Sequence, residues 1–396
     1  MNYSTRLKIK LNIFSRILQG FIFFISCAQN NQSFTKEINF SPQNSNTLKI
    51  RDWIDSIIFI PLKNSKISVG LPPDRIKIRE DHICFLYNPD GSNSVLNIYH
   101  SDGEYQYGIY SQYESPEPVQ VINDFDVWND TLFILHGENL SFHSLSQKSK
   151  IRSDVTVPDY YSAMVRNRND FIFFNQVLSH GLQIVGLNGK WLDHKISFEN
   201  TPTLRSDRFP HFTKMNTNDD HLFYYKYEPV IYKISFNDAS YIPFIKMDFG
   251  AYEIDENERN TLIHGGKSAH DLDNQLCNRV GKFCFFYNVS DLNAYTFLIF
   301  KINRVTYYGL INKRTSEALW FNKIENDSGF PFITNGFGAL DVIASHQNSL
   351  ILAIDSEYIE SLRSSVSDQP MASNWGKVKS EISIKSEPVL CMLKFK

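Results

Sequence analysis

His264, His270, Asp271 and Asp273 crowd into a short stretch and bring together the imidazole and carboxylate groups that hold divalent ions. Their spacing matches no metal-binding signature, so a solvated loop is the expectation. Nearby, Gly266-Lys267-Ser268 has the ending of a phosphate-cradling loop, but Thr261 stands where its first glycine must be. Asn129-Asp130 and Asn218-Asp219-Asp220 carry oxygen ligands suited to calcium, yet both fall where strands reverse, which is ordinary turn chemistry. No Ser/His/Asp constellation and no G-x-S-x-G element nominates a nucleophile. Binding without catalysis is therefore the first expectation, with no cofactor implied. The alternative is a lyase or hydrolase in which His211 or His270 acts as general base, with Asp124 or a bound metal as electrostatic partner.

The elements that must position such residues repeat along the chain. Six segments share an apolar-alternating strand, a polar turn and a second strand dense in aromatic and β-branched residues: 76–87, 125–135, 164–174, 215–225, 276–287 and 342–354. The fifth is centred on Gly281-Lys282 and the sixth on Asn348. Most hairpins are followed by a third strand, another turn and a fourth strand. Four strands per unit and a period of roughly 40 to 50 residues match a propeller blade. The predicted fold is all-β, a six-bladed β-propeller with four-stranded antiparallel blades. The last unit ends after its third strand, Val389-Leu390-Cys391-Met392-Leu393-Lys394-Phe395, while Ile57-Ile58-Phe59-Ile60-Pro61-Leu62 is a strand without a hairpin. The N-terminal strand is expected to complete the last blade and close the ring, removing open sheet edges.

The first 26 residues carry Arg6, Lys8, Lys10 and Arg16, no acid, and an apolar run from Ile17 to Ile25 that is about half of what a membrane span requires. That order is the order of an export signal. Phe24-Ile25-Ser26-Cys27 resembles the bacterial lipobox, which implies cleavage before Cys27 and lipid attachment to it; an ordinary secretory signal with a chance cysteine is the alternative. The domain division is then 1–26 signal peptide, 27–47 polar tether and 48–396 propeller. The tether begins Ala28-Gln29-Asn30-Asn31-Gln32-Ser33, without the acids that often follow the cysteine of surface-displayed lipoproteins of the Bacteroidota type, so the lipobox resemblance implies the periplasmic face of the outer membrane over surface display.

Taking the four basic residues of the signal from 40 leaves 36 against 43 acids, a net charge of −7, which argues against nucleic acid as a partner. The other cysteines, Cys84, Cys277, Cys284 and Cys391, are too widely spaced for a disulfide-dense scaffold or a CxxC metal site. Cys277 and Cys284 flank a turn but stand diagonal across it, poorly placed for a disulfide.

The strand Ile57 to Leu62, the run Val230-Ile231-Tyr232-Lys233-Ile234 leading to Asp248-Phe249-Gly250, and the closing Pro388-Val389-Leu390 resemble the six-bladed β-propeller lipoproteins of Bacteroidota, which are similar to NHL-repeat propellers. The resemblance covers residues 48 to 396. It implies this architecture and an envelope location, with a membrane contact through the lipid only.

Phe85, Phe133, Phe173, Phe174, Phe223, Phe285 and Phe286 recur at equivalent strand positions and are expected in the core between blades, each stabilising the fold by roughly 1.5 to 3 kcal/mol. Function is expected instead where six innermost strands begin around one axis, because loops on a rigid scaffold gather binding residues. The candidates there are Arg75, Asp124, Tyr161, His211, His270 and Asn335. Their mixed polar character suits a polar ligand, or an envelope protein or peptide, better than a lipid.

Overall fold

The structure, a computed structural model, describes residues 36–42, 46–65, 73–79, 81–88, 93–110, 121–157, 163–167, 170–174, 182–186, 191–196, 212–215, 220–224, 228–235, 240–255, 257–258, 261, 275, 282–335, 338–362, 374–381 and 388–396. The chain enters through three strands, β1 (Lys36–Asn39), β2 (Asn46–Lys49) and β3 (Ile54–Pro61), with one helical turn, α1 (Ile50–Trp53), between the last two. Blade 1 follows as β4 (Arg75–Arg79), β5 (His82–Tyr87), β6 (Val95–His100) and β7 (Tyr105–Tyr110). Blade 2 is β8 (Ile122–Trp128), β9 (Thr131–His136), β10 (Asn139–Ser144) and β11 (Ser149–Thr156). Blade 3 is β12 (Ala163–Asn167), β13 (Asp170–Phe174), β14 (Leu182–Gly186) and β15 (Trp191–Ile196). Blade 4 is β16 (Phe212–Lys214), β17 (His221–Tyr224), β18 (Val230–Ser235) and β19 (Ser240–Asp248). Blade 5 is β20 (Phe283–Asp291), β21 (Tyr295–Ile302), β22 (Val305–Asn312) and β23 (Ala318–Glu325). Blade 6 comprises β24 (Val342–His346), β25 (Ser349–Ile354), β26 (Val389–Phe395) and, as its outermost strand, β3.

The N-terminal strand completes the last blade as expected: β26 runs antiparallel to β3, with Val389 opposite Pro61, Cys391 opposite Phe59 and Leu393 opposite Ile57. Beyond β3 the chain is stapled to blade 1. Lys63 N–H donates to the Gly103 carbonyl at 3.0 Å, and Tyr105 N–H donates to the Lys63 carbonyl at 3.2 Å. Gly103 has φ +91°, and a Cβ there would stand 2.1 Å from the Pro61 carbonyl oxygen, so only glycine lets blades 1 and 6 meet this closely.

Two features depart from the sequence expectation. Within the stretch assigned to the tether, β1 adds in parallel to β19 at the outer edge of blade 4, and β2 adds in parallel to β23 on blade 5. The propeller therefore begins by residue 36, and β1, β2 and β3 form a belt along the rims of three consecutive blades. Ile38 and Leu48 point inward and are buried, and Phe40 lies amid Phe249, Tyr252, Phe300, Tyr307 and Trp320 at ring separations of 5.1 to 6.0 Å. The fifth hairpin is also displaced. The innermost described strand of blade 5 is β20, paired with β21 through a turn at 292–294, rather than a hairpin centred on Gly281-Lys282. Cys277 lies outside the described residues.

Between blades the core is aromatic and aliphatic, as the repeated phenylalanines predict. Phe85, Phe133, Phe173, Phe223 and Phe286 are all buried, and Phe85, Phe133, Phe173 and Phe286 belong to clusters that, with one more, span blades 1 to 3, 4 and 5, 5 and 6, and 6 and 1. The long segment between β25 and β26 contains helices α2 (Ser356–Leu362) and α3 (Trp375–Glu381). Asn374, just before α3, bonds the exposed side of β3: its Nδ2 donates to the Phe59 carbonyl at 2.6 Å, and its Oδ1 accepts from Phe59 N–H at 3.1 Å. One side chain thus imitates a neighbouring strand and blunts the edge of blade 6.

Candidate functional site

The innermost strands β4, β8, β12, β16, β20 and β24 surround the axis, and a cavity of about 240 Å³ lies among them. It is off-centre. Among the described residues, blade 1 contributes the whole of β4, blade 4 Phe212 to Lys214, blade 5 Tyr287, Asn288 and Ser290, and blade 6 Val342 to Ser345, whereas blades 2 and 3 contribute only Asp124 and Ala163.

The asymmetry has a cause in β4 and β8. Arg75-Ile76-Lys77-Ile78-Arg79 alternates cation and isoleucine, and Asp124-Phe125-Asp126 alternates carboxylate and ring, so each strand turns its charges to one face and its apolar groups to the other. The two charged faces meet. Asp124 Oδ1 is 3.0 Å from Lys77 Nζ and 3.7 Å from Arg75 Nε, and Asp126 Oδ1 is 3.1 Å from Arg79 Nε. Each carboxylate then reaches onward to blade 3: Met164 N–H donates to Asp124 Oδ2 at 2.8 Å and Arg166 N–H donates to Asp126 Oδ2 at 3.1 Å. Lys77 Nζ also donates to the carbonyls of Phe125 and Met164. Blades 1, 2 and 3 are thereby laced together at the axis, leaving the open space on the side of blades 4 to 6.

Asp124 and Asp126 are 2% and 1% exposed, a depth tolerated only because every carboxylate oxygen is bonded. Burial alone would push the Asp126 carboxyl up. The cations of Arg79 and Lys77, with the N–H groups of Arg166 and Val127, outweigh it and hold the group below its ordinary value. Beside it, burial pushes the Arg166 guanidinium down to about 10, with Asp126 acting the other way. That guanidinium lies 4.2 Å from the Phe133 ring centroid, a cation–π contact across blades 2 and 3.

Of the predicted axial residues, Arg75 and Asp124 therefore meet at the cavity. Asn335 does not line it. Its Nδ2 donates to Asp341 at 3.2 and 3.3 Å and its Oδ1 accepts from Ala339 N–H, so it ties down the loop before β24. Cys27, Tyr161, His211 and His270 lie outside the described residues. Lys77, Arg79 and Asp126 escaped the sequence reading, which looked only at strand beginnings; the strict alternation in β4 and β8 was the signal that marks them.

At the far end of the cavity Arg79 and Lys214 belong to the lining, and His346 closes β24 beside them. Arg79 Nη1 donates to the Ile78 carbonyl at 3.2 Å, and His346 bonds the same carbonyl. Burial pushes the His346 imidazole down, and the cations of Arg79 and Lys214 push it further, against that carbonyl bond. Asp130, proposed above as turn rather than calcium chemistry, accepts from Ser144 Oγ at 2.7 Å and from Ser146 N–H and Oγ, each at 2.7 Å, with Asn129 at φ +51°. Among the described residues no group of three or more His, Cys, Asp or Glu side chains is placed to hold a metal.

Six sheets around an axis, each built on four antiparallel strands, with a cavity walled by both charged and apolar groups between their inner strands, define a six-bladed β-propeller. The chain belongs to the DUF5128 family of 6-bladed beta-propellers, whose sequence model matches residues 27–340. Among solved structures it is similar to a Bacteroides fragilis protein designated as exported, at 12% identity and a TM-score of 0.69 over 92% of this chain and 100% of that one. Similarity is weaker to the extracellular domain of a hybrid two-component system of B. thetaiotaomicron, at 10% identity and a TM-score of 0.39 over 76% of this chain and 32% of that one. The WD40 domain of Neurospora crassa Pan2 is similar at 8% identity and a TM-score of 0.36, over 64% and 65%. No curated protein matches the sequence.

Proposed function

We propose that this protein is a non-catalytic, ligand-binding propeller of the bacterial cell envelope, exported by its first 26 residues and held to the outer membrane, on the periplasmic side, by a lipid on Cys27. The observation that carries the binding reading is the axial cavity, whose walls combine Arg75, Lys77 and Lys214 with Thr213, Asn288 and Ser290. Such a pocket suits a polar ligand or a peptide segment. The Asp124 carboxylate, one of the two electrostatic partners open to the lyase or hydrolase alternative, is already committed to Lys77 and to the N–H groups of Phe125 and Met164. That commitment favours binding over catalysis. The location is supported by the signal-like N-terminus, the lipobox-like Phe24-Ile25-Ser26-Cys27 and the exported designation of the B. fragilis protein.

The test is a thermal-shift screen of polar metabolites and short peptides against the wild type and Ser345→Trp, which places an indole in the cavity. A ligand that raises the wild-type melting temperature and leaves the variant unmoved supports the reading. Ligands that stabilise both equally place binding elsewhere and overturn it.

A further inference from the structure

We propose that the end of the axial cavity where Arg79, Lys214 and His346 converge binds an oxyanion, the carboxylate or phosphate group of a ligand lying in the channel. The inference rests on the cavity-binding reading above and adds the chemical class of what is bound. Three blades supply the groups: β4 brings Arg79, β16 brings Lys214 and β24 brings His346. The lining holds four cations, Arg75, Lys77, Arg79 and Lys214, against the carboxylates Asp74 and Asp124, with Asp126 buried behind them. The lining as a whole is thus positive within a chain whose formal net charge is −3, and Arg79 and Lys214 are the cations at this end, a contrast that draws anions to the channel.

Arg79 is the centre of the site. A guanidinium has five N–H donors in a planar fork. Among the described residues two are engaged, Nε on Asp126 and one Nη1 proton on the Ile78 carbonyl. Asp126 fixes the plane of the fork, and the remaining donors suit bidentate capture of an oxyanion. The imidazole of His346 meets Arg79 at the shared Ile78 carbonyl and feels the charge of Lys214. An anion seated between Arg79 and Lys214 offsets the two cations that disfavour a proton on His346. Binding is therefore coupled to proton uptake at that ring, a signature that neutral ligands lack.

The experiment titrates the full-length protein with inorganic phosphate, with citrate and with glycerol as the neutral control, following the His346 ring protons by NMR against pH. His346→Gln assigns the resonance. Phosphate or citrate should raise the pH at which His346 titrates, and the stronger of the two identifies a phosphoryl or a carboxylate preference. Glycerol should leave it unmoved. Lys214→Gln, on an exposed side chain, should weaken the anion about tenfold, and Arg79→Gln at least as much; Arg79→Lys should rescue part of that loss.

The proposal is overturned if neither anion moves the His346 titration, or if both move it equally in wild type and Lys214→Gln. Should neutral ligands bind the wild type but not Ser345→Trp while phosphate and citrate fail, the cavity reading stands and the anion inference falls. If nothing distinguishes wild type from Ser345→Trp, both fall.

Discussion

Removing the Asp126 carboxylate should cost the fold more than removing any exposed charge. In Asp126→Ala the N–H of Arg166 loses its acceptor across the blade boundary and Arg79 loses its counter-ion. A buried donor left unsatisfied costs about 1 to 3 kcal/mol, and breaking a buried ion pair from one side costs about 3 to 5. The Arg79 side chain is 24% exposed and regains some water. The expected total is therefore about 3 kcal/mol, a substantial part of the 5 to 15 kcal/mol that holds a typical domain. The pH dependence follows from the depressed carboxyl. Because its folded value lies below the ordinary 3.8, its stabilisation is complete above that point and is lost as the pH falls through the folded value. Urea denaturation of wild type, Asp126→Ala and Asp126→Asn should show a gap at pH 7 that narrows on acidification below about pH 4. A cost under about 1 kcal/mol, or a gap constant down to pH 3, would refute the view that this carboxylate braces three blades as an anion.

Truncation after Glu387 removes β26, which pairs with β25 on one side and β3 on the other; circular dichroism should show no cooperative melting, and a preserved transition would contradict ring closure. Gly309→Ala places a methyl 2.4 Å from the Trp320 ring; it should destabilise by about 1 to 3 kcal/mol, and an unchanged melting temperature would mean that Trp320 moves freely. Asn374→Ala removes both bonds to Phe59; a loss of about 2 kcal/mol is expected, together with concentration-dependent association in size-exclusion chromatography as the β3 edge is bared. Cys27→Ser should release the protein from membranes, and soluble wild-type protein with an intact or differently cut N-terminus would end the lipid-anchor proposal.

Blades announce themselves in sequence when turn and strand chemistry agree. The Asn129-Asp130 reversal did so, flanked by clean alternation, and its backbone adopts the left-handed geometry that asparagine tolerates. Blade 5 misled because Gly281-Lys282 looks like a turn, whereas the reversal joining β20 to β21 runs Leu292-Asn293-Ala294 and lacks glycine. β1 and β2, Lys-Glu-Ile-Asn and Asn-Thr-Leu-Lys, are four residues each with a single buried apolar side chain, too short for a period-two pattern to emerge. What makes them strands is the waiting edge of a distant blade. Similarly, Arg75 and Asp124 were recognisable as polar residues near the axis, but the choice of Asp124 for Lys77 and of Asp126 for Arg79 is a matter of blade packing that local pattern does not encode.

The belt of β1, β2 and β3 also decides how the ring responds to mechanical load. A pull on the residues preceding Lys36 acts first on β1, which is held to the rim of blade 4 by four paired positions and pinned by Phe40 among five aromatic rings. The next element in line is β2, and only then β3, whose register with β26 extends over seven pairs. Two short parallel strands thus stand in series ahead of the closure strand and yield before it. Peeling them would lengthen the chain ahead of the ring while β3 stays paired with β26, so load on the N-terminus would be taken up at the rims of blades 4 and 5 before it reached the closure strand.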